Sequence, residues 1–134
     1  MFNKVAIFGV GLIGGSFALA LDRFNGARTI VGVGRSTATL QRALQLGVID
    51  EIATDAKAAV HGADLVLVAA PVAQTEAILA AIQPALGLRT IVTDAGSTKS
   101  DVVAAARRAL GGKFPQFVPA HPIAGKEQSG VEAA

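Results

Sequence analysis

Cysteine, tryptophan and tyrosine are absent from this 134-residue sequence, and its aromatic residues are six phenylalanines. Without cysteine the chain has no disulfide, thiolate metal ligand or thiol nucleophile, which is typical of a cytoplasmic protein. Without tryptophan or tyrosine, and with a formal net charge of only +2, the sequence gives little support for nucleic-acid binding. We therefore expect a cytoplasmic protein with no metal site and no nucleic-acid partner.

Long apolar runs are also missing. No apolar segment approaches the 18 or so residues of a membrane helix, so we expect no membrane partner. Hydrophobic residues make up 51% of the sequence and charged residues 16%. This composition is typical of a globular interior, and the length suits one domain with a buried core.

Short apolar segments alternate with segments of helical periodicity. The predicted strands are residues 5–8, 29–33, 51–53, 65–69, 90–93 and 117–120. The predicted helices are residues 16–23, 39–46, 56–60, 74–82 and 101–110. The segments at 65–69 and 90–93 are predicted to be buried on both faces. The alternation predicts an α/β protein, a Rossmann-type doubly wound, mostly parallel sheet with helices on both faces.

A G-x-G-x-x-G pattern follows the first predicted strand and precedes a helix, as in dinucleotide-binding proteins. Gly9 allows a tight turn, Gly11 lets the backbone approach a pyrophosphate, and Gly14 lets helix and strand pack closely. The helix start at Leu12 and Ile13 offers free N–H groups and the positive end of the helix dipole to the anion. The alternative interpretation is a plain strand-to-helix turn.

The residues after the second predicted strand bear on the choice between NAD and NADP. In NAD-preferring versions of this fold, an acidic residue about 20 positions past the glycine turn holds the ribose 2′-hydroxyl. Here Arg35, Ser36 and Thr37 occupy that region. A guanidinium and two hydroxyls suit a 2′-phosphate, so we predict a preference for NADP, with NAD as the other cofactor. The alternative is that the hydroxyls cap the next helix and Arg35 lies in solvent, but both can hold at once, because a capped helix start is itself an anion site.

Three segments follow predicted strands, at the edge of the sheet where ligands bind in this fold. Ala70, Pro71 and Val72 are expected to form a floor for a flat ring. Ser97 either caps a helix or contacts a ligand. His121 ends the last predicted strand, and an imidazole can accept a proton near neutral pH. The alternative for His121 is a loop histidine without a function.

With these segments, the chain resembles the prephenate/arogenate dehydrogenase family over essentially its whole length. The most specific similarities are an Asp-x-Gly-Ser-x-Lys segment at 94–99 and a His-Pro-Ile-Ala-Gly segment at 121–125. The resemblance implies oxidative decarboxylation of prephenate to 4-hydroxyphenylpyruvate, or of arogenate to tyrosine, in tyrosine biosynthesis. It implies that His121 is the catalytic proton acceptor, that Ser97 assists it by hydrogen bonding, and that hydride passes to the nicotinamide.

The resemblance also implies a further domain. Family members carry a helical C-terminal domain that completes the site and forms the homodimer, and this sequence lacks it. We therefore expect residues 1–134 to be a truncated dinucleotide-binding domain that binds cofactor but turns over poorly by itself. The substrate is anionic, and no arginine remains at the strand ends beyond the one assigned to the cofactor. Lys99, Lys126 or sequence beyond Ala134 would hold the substrate carboxylate.

Two other functions remain open. The first is an oxidoreductase with the same cofactor and another substrate, such as an imine reductase or a β-hydroxyacid dehydrogenase. It would share the glycine turn but would give no reason for the segment at 121–125. The second is a non-catalytic nucleotide-sensing domain, which would bind the cofactor and tolerate a change at His121.

Overall fold

The computed structural model describes residues 2–95 and 99–119. In this part of the chain, strands and helices alternate along the sequence, as expected. The strands are β1 (Phe2–Phe8), β2 (Ala27–Val33), β3 (Glu51–Ile52), β4 (Leu65–Val68) and β5 (Ile91–Asp94). The helices are α1 (Leu12–Arg23), α2 (Thr37–Gln45), α3 (Ala56–Val60), α4 (Val72–Ile82) and α5 (Lys99–Leu110), with 3-10 segments at Gln83–Ala85 and Gly111–Gln116.

The strands form one parallel sheet in the order β3-β2-β1-β4-β5. From β1 the chain adds β2 and then β3 on one side of the sheet. It then returns and adds β4 and β5 on the other side of β1. The direction of winding therefore reverses between β1 and β4, where Phe8 is paired with Val68. In open parallel sheets, ligands bind in the crevice at such a reversal, outside the carboxyl ends of the strands.

Two apolar cores cover the two faces of the sheet, because successive side chains of a strand point to opposite faces. On one face, Val5 and Ile7 belong to a core with residues of α1 and α2. On the other face, Ala6 and Phe8 belong to a core with residues of α3, α4 and α5. The prediction of a Rossmann-type sheet with helices on both faces is thus confirmed.

On the second face, the helices α4 and α5 also contact each other through charged side chains. The guanidinium of Arg108 on α5 donates to both carboxylate oxygens of Glu76 on α4, with the shortest contact at 2.7 Å. This hydrogen bonding lowers the pKa of Glu76. Across the described ranges, no helix combines the length and the apolar character that crossing a membrane requires.

The helix α1 begins at Leu12, where the glycine motif predicts its start, but three other helices begin two residues earlier than their apolar periodicity predicts. The periodicity starts at residues 39, 74 and 101, whereas the observed starts are residues 37, 72 and 99. The first residues of these three helices are mostly small or polar, so they add little to the apolar periodicity that locates a helix. Their N-terminal ends are nevertheless the parts that face the crevice.

The prediction that the strand at 90–93 is buried on both faces is wrong. The observed strand β5 ends at Asp94, and Ile91 near its start is 43% exposed. Within the described ranges, Phe117 pairs with Val92 at the outer edge of β5 in an isolated parallel bridge. One short bridge does not cover the whole strand, so part of β5 meets solvent.

The strand predicted at 117–120 is present only as this bridge. Phe117 makes the bridge, and the N–H of Val118 donates to the carbonyl oxygen of Val92 at 2.7 Å. Val118 and Pro119 have no strand assignment, and Ala120 lies outside the described residues. A proline lacks the N–H that would extend the ladder, in agreement with the end of regular pairing here.

Candidate dinucleotide-binding site

The turn after β1 depends on glycine at position 9. Gly9 has a φ of +93°, which side chains rarely tolerate. Its N–H donates to the carbonyl oxygen of Val33 at 2.8 Å, and a Cβ here would lie 2.9 Å from the backbone of Ala69 and Ala70. The end of β1 is therefore held between the ends of β2 and β4, and the tight turn predicted at Gly9 is confirmed.

Gly14 brings α1 close to the strand that precedes it. A Cβ at this position would collide with the carbonyl oxygen of Gly9 and would lie 3.2 Å from the side chain of Ile7. Gly14 is buried in this contact. The predicted close packing of helix against strand is thus confirmed, and it places the first turn of α1 at the carboxyl end of β1.

Gly11, unlike Gly14, has open space around it. It is exposed, and a Cβ there would meet no atom within 4 Å. Gly11 is the N-cap residue of α1 and provides no side-chain hydrogen bond to the helix. The N–H groups of Leu12 and Ile13 have no acceptor within the helix, as in every first turn. Open space, unpaired donors and the helix dipole together fit an anionic pyrophosphate.

The loop between β2 and α2 combines a helix cap with an exposed cation. Ser36 is the N-cap residue, and its Oγ accepts hydrogen bonds from the N–H of Thr39 at 3.2 Å and from the Thr39 hydroxyl at 3.0 Å. The capping interpretation of Ser36 is therefore confirmed, while Thr37 is the first helical residue. Arg35 is exposed and makes no hydrogen bond or ion pair with the residues described.

The loop after β4 lies beside the glycine turn. The N–H of Ala69 donates to the carbonyl oxygen of Phe8 at 2.7 Å, which extends the pairing of β1 and β4 by one residue. Ala70 and Val72 are half-buried, Pro71 is exposed, and α4 begins at Val72. Of the three residues, Ala70 is next to the turn at Gly9, and Pro71 and Val72 continue from it into the start of α4, so the floor for a flat ring stays a prediction.

A buried carboxylate lies at the end of β5, at the first residue of the Asp-x-Gly-Ser-x-Lys segment, and no role of its own was assigned to it from the sequence. Asp94 is 1% exposed and pairs in register with Val68, and the N–H of Ala95 donates to the carbonyl oxygen of Val68 at 3.0 Å. The available signal was an acid directly after an apolar strand. Ser97 and His121, the two predicted catalytic residues, lie outside the described residues.

A groove of about 400 Å³ opens between the glycine turn and α2. The turn contributes Val10 and Gly11, α2 contributes Thr39 and Arg42 among others, and Val48 after α2 also lines the groove. Arg42 was placed on a predicted helix by its sequence position and was not assigned to a site. It faces this groove because α2 packs on the same face of the sheet as α1.

The reversal of strand order, the glycine turn at that reversal and the open start of α1 define a dinucleotide-binding domain of the Rossmann type. Comparison with known families narrows this class. Residues 17–134 match the family described as "Prephenate dehydrogenase, nucleotide-binding domain". The chain belongs to this family, and the resemblance noted in the sequence is confirmed.

Curated relatives agree with the family match. The chain is 39% identical to "Prephenate dehydrogenase" of Bacillus subtilis (strain 168), with 100% of this chain and 36% of that protein aligned. It is 36% identical to "Cyclohexadienyl dehydrogenase" of Zymomonas mobilis subsp. mobilis, with 99% of this chain and 45% of that protein aligned. The chain spans less than half the length of these relatives.

Solved structures show the same fold. Prephenate dehydrogenase from A. aeolicus, in complex with hydroxyphenyl propionate and NAD+, superposes with a TM-score of 0.82 at 36% identity. The match covers 98% of this chain and 46% of that one. Synechocystis arogenate dehydrogenase superposes with a TM-score of 0.78 at 30% identity, over 98% of this chain and 45% of that one.

Proposed function

We propose that this chain is the cofactor-binding domain of an NADP-preferring prephenate or arogenate dehydrogenase, a cytoplasmic enzyme of tyrosine biosynthesis. The observation that carries the proposal is the open N-terminus of α1 at Gly11, beside the crevice between β1 and β4, in a chain of this family. The A. aeolicus relative holds NAD+ and a hydroxyphenyl compound, which supports a nicotinamide cofactor and an aromatic-type product here.

Different residues of the crevice are assigned to different parts of the cofactor. The N–H groups of Leu12 and Ile13 would hold the pyrophosphate, and Gly11 leaves open space beside them. Pro71 is exposed and Val72 is half-buried against the core, and with Ala70 they would form the floor for one of the flat rings. When bound, the nicotinamide would supply the hydride acceptor that the oxidation needs.

His121 acts as the base of the reaction in this proposal. It accepts the proton of the ring hydroxyl while the carbinol hydrogen leaves as a hydride, so that the carbinol becomes a carbonyl group. The bond to the ring carboxylate then breaks and CO₂ departs. The electron pair of the broken carbon–carbon bond enters the ring, which becomes an aromatic phenolate and then regains a proton. Ser97 donates a hydrogen bond near the reacting oxygen.

Holding the anionic substrate requires a cation, and the described arginines offer none at the crevice beyond the cofactor loops. Arg28 lies in β2, Arg89 precedes β5, and the others lie on helices or in the loop after β2. We therefore assign the carboxylate contact to Lys99, Lys126 or residues of a further domain, which would also form a homodimer. The relatives, at more than twice the length of this chain, have room for such a domain.

Binding and turnover test this function separately. We expect the 134-residue chain to bind NADP+ in isothermal titration calorimetry but to form little or no NADPH from prephenate or arogenate. We expect the full-length enzyme to reduce the cofactor with at least one of the two substrates. Absence of cofactor binding by the chain, or robust turnover by it alone, would contradict the proposal.

Arg35→Ala is expected to weaken NADP+ binding and to spare NAD+. The exposed guanidinium has no partner among the described side chains, so it can form charge-assisted hydrogen bonds with a 2′-phosphate. Such bonds correspond to roughly 10- to 100-fold in affinity. Calorimetric titration of both cofactors measures the effect, and equal losses for the two would show that Arg35 does not contact the 2′-phosphate.

Ser36→Asp is expected to separate helix capping from cofactor choice. Aspartate caps a helix about as well as serine, so the melting temperature should stay close to that of the wild type. The added carboxylate should repel a 2′-phosphate and suit a ribose diol, shifting preference toward NAD+ by roughly 10-fold or more. Ser36→Ala should give the reverse, a loss of about 0.5–2 kcal/mol in stability with little change in preference. An unchanged preference in Ser36→Asp would place the ribose elsewhere.

A further inference from the structure

The groove between the glycine turn and α2 includes Gly11, which we assign to the pyrophosphate, but the function proposed above gives no role to the part of the groove that α2 lines. It is about 400 Å³ in volume, and its lining is mostly apolar, with small or aliphatic residues such as Val10 and Val48. Arg42 is the charged side chain among the lining residues, and no acid lines the groove. The groove therefore suits a ligand that carries an anionic group next to an uncharged surface.

The arginine in this groove is available to a ligand. Arg42 is exposed, and its guanidinium makes no ion pair or side-chain hydrogen bond within the described ranges. Its position in the last turn of α2 allows a second role, since a cation there complements the helix dipole. If Arg42 only complements the helix dipole, its removal should lower the stability of the domain without favouring one cofactor over another. Binding experiments with different cofactors therefore distinguish this role from ligand binding.

The groove adjoins the loop that we assign to the ribose end of the cofactor. Thr39, which lines the groove, is hydrogen-bonded through its hydroxyl to Ser36 in that loop. Arg42 lies five residues after Thr37, about 7.5 Å along the helix axis. Helical side chains lean toward the N-terminus of their helix, so an extended arginine at this position reaches back toward the loop.

We propose that this groove receives the 2′-phosphate of NADP and that Arg42, together with Arg35, determines the specificity for this cofactor. The proposal rests on the NADP preference proposed above. A phosphomonoester carries close to two negative charges at neutral pH, and two guanidinium groups would match both its charge and its oxygen geometry. Gly11, on the opposite wall, leaves space for the adjoining ribose.

The test compares Arg42→Ala with Arg42→Lys and with Arg89→Ala. Arg89 is an exposed arginine that precedes β5, at the opposite end of the sheet from the crevice, so its removal is a matched loss of charge. The probes are NADP+, NAD+, 2′,5′-ADP and 5′-AMP, titrated calorimetrically into the chain at constant ionic strength. Thermal unfolding of each variant establishes that it is folded.

We expect Arg42→Ala to weaken binding of NADP+ and 2′,5′-ADP by about 10-fold or more, as for the loss of a charge-assisted hydrogen bond. NAD+ and 5′-AMP should bind as they do to the wild type. Arg42→Lys should lose less, because it keeps the charge but not the planar fork. Arg89→Ala should bind all four probes as the wild type does.

The results separate this proposal from the assignment of Arg35. A selective loss in Arg42→Ala supports the groove, whether or not Arg35→Ala shows the same loss. A selective loss in Arg35→Ala alone overturns the role of Arg42 and leaves the NADP preference in place. Equal losses for phosphorylated and unphosphorylated probes in Arg42→Ala also overturn it. If the wild type binds NAD+ more tightly than NADP+ and neither Arg35→Ala nor Arg42→Ala changes the affinities, both the NADP preference and the role of Arg42 are overturned.

Discussion

In the dehydrogenase proposed above, His121→Asn is expected to lower kcat by roughly 10²- to 10⁴-fold, the usual contribution of a general base. Asparagine keeps a polar side chain that can form hydrogen bonds, but its amide cannot accept the proton of the ring hydroxyl. In the proposed function the glycine turn and the loops beside it hold the cofactor, so the cofactor Kd should change little. Steady-state kinetics with prephenate and arogenate, together with cofactor titration, measure the two quantities.

His61→Asn is the matched control, since His61 is the other of the two histidines in the chain. It is the C-cap residue of α3, and its carbonyl oxygen accepts a hydrogen bond from Nζ of Lys4 at 2.7 Å. That contact uses the main chain, so a change of side chain should leave kcat unaltered. Full activity in His121→Asn would instead favour a domain that senses the nucleotide without catalysis.

Gly14→Ala will have the largest effect on the structure of the site. Its methyl group would collide with the carbonyl oxygen of Gly9, and no rotamer change can relieve a contact with backbone. Overpacking of this kind costs about 1–3 kcal/mol and occasionally more. Because the collision also displaces the turn, we expect the affinity for both NAD+ and NADP+ to fall. Urea unfolding and calorimetry provide the two measurements.

The adjacent glycine provides the control for stability. Gly15 also lies in the first part of α1, but a Cβ there would meet no atom within 4 Å. Gly15→Ala should therefore stabilise the helix by about 0.5–1 kcal/mol, the usual difference between alanine and glycine. Two neighbouring substitutions of the same kind should thus have effects of opposite sign. Similar free energies of unfolding for the two variants would contradict the packing described for Gly14.

The sequence predicted the kinds of element well and their ends less well. For α2, apolar periodicity placed the start at residue 39, whereas the capping chemistry of Ser36 placed it at residue 37, where the structure has it. For β5, the pattern ended the strand before Asp94 because a carboxylate is usually exposed. The structure includes Asp94 in the strand and buries it.

The candidate site shows the same division. The roles of Gly9 and Gly14 followed from the local spacing of the motif, because both depend on a turn between neighbouring elements. The groove and the presence of Arg42 in it could not be predicted from local sequence spacing. Arg42 has an ordinary helical position in the sequence, and it faces the groove only because α2 packs beside the glycine turn, about 30 residues away along the chain.

The sequence by itself determined the order of strands and helices, the glycine turn and the family, because periodicity and turn chemistry act over a few residues and are written locally. Only the tertiary structure decided the strand order β3-β2-β1-β4-β5, the burial of Asp94 and the residues that share the groove. These features depend on contacts between segments that are distant along the chain, and such contacts leave no periodic pattern in the sequence.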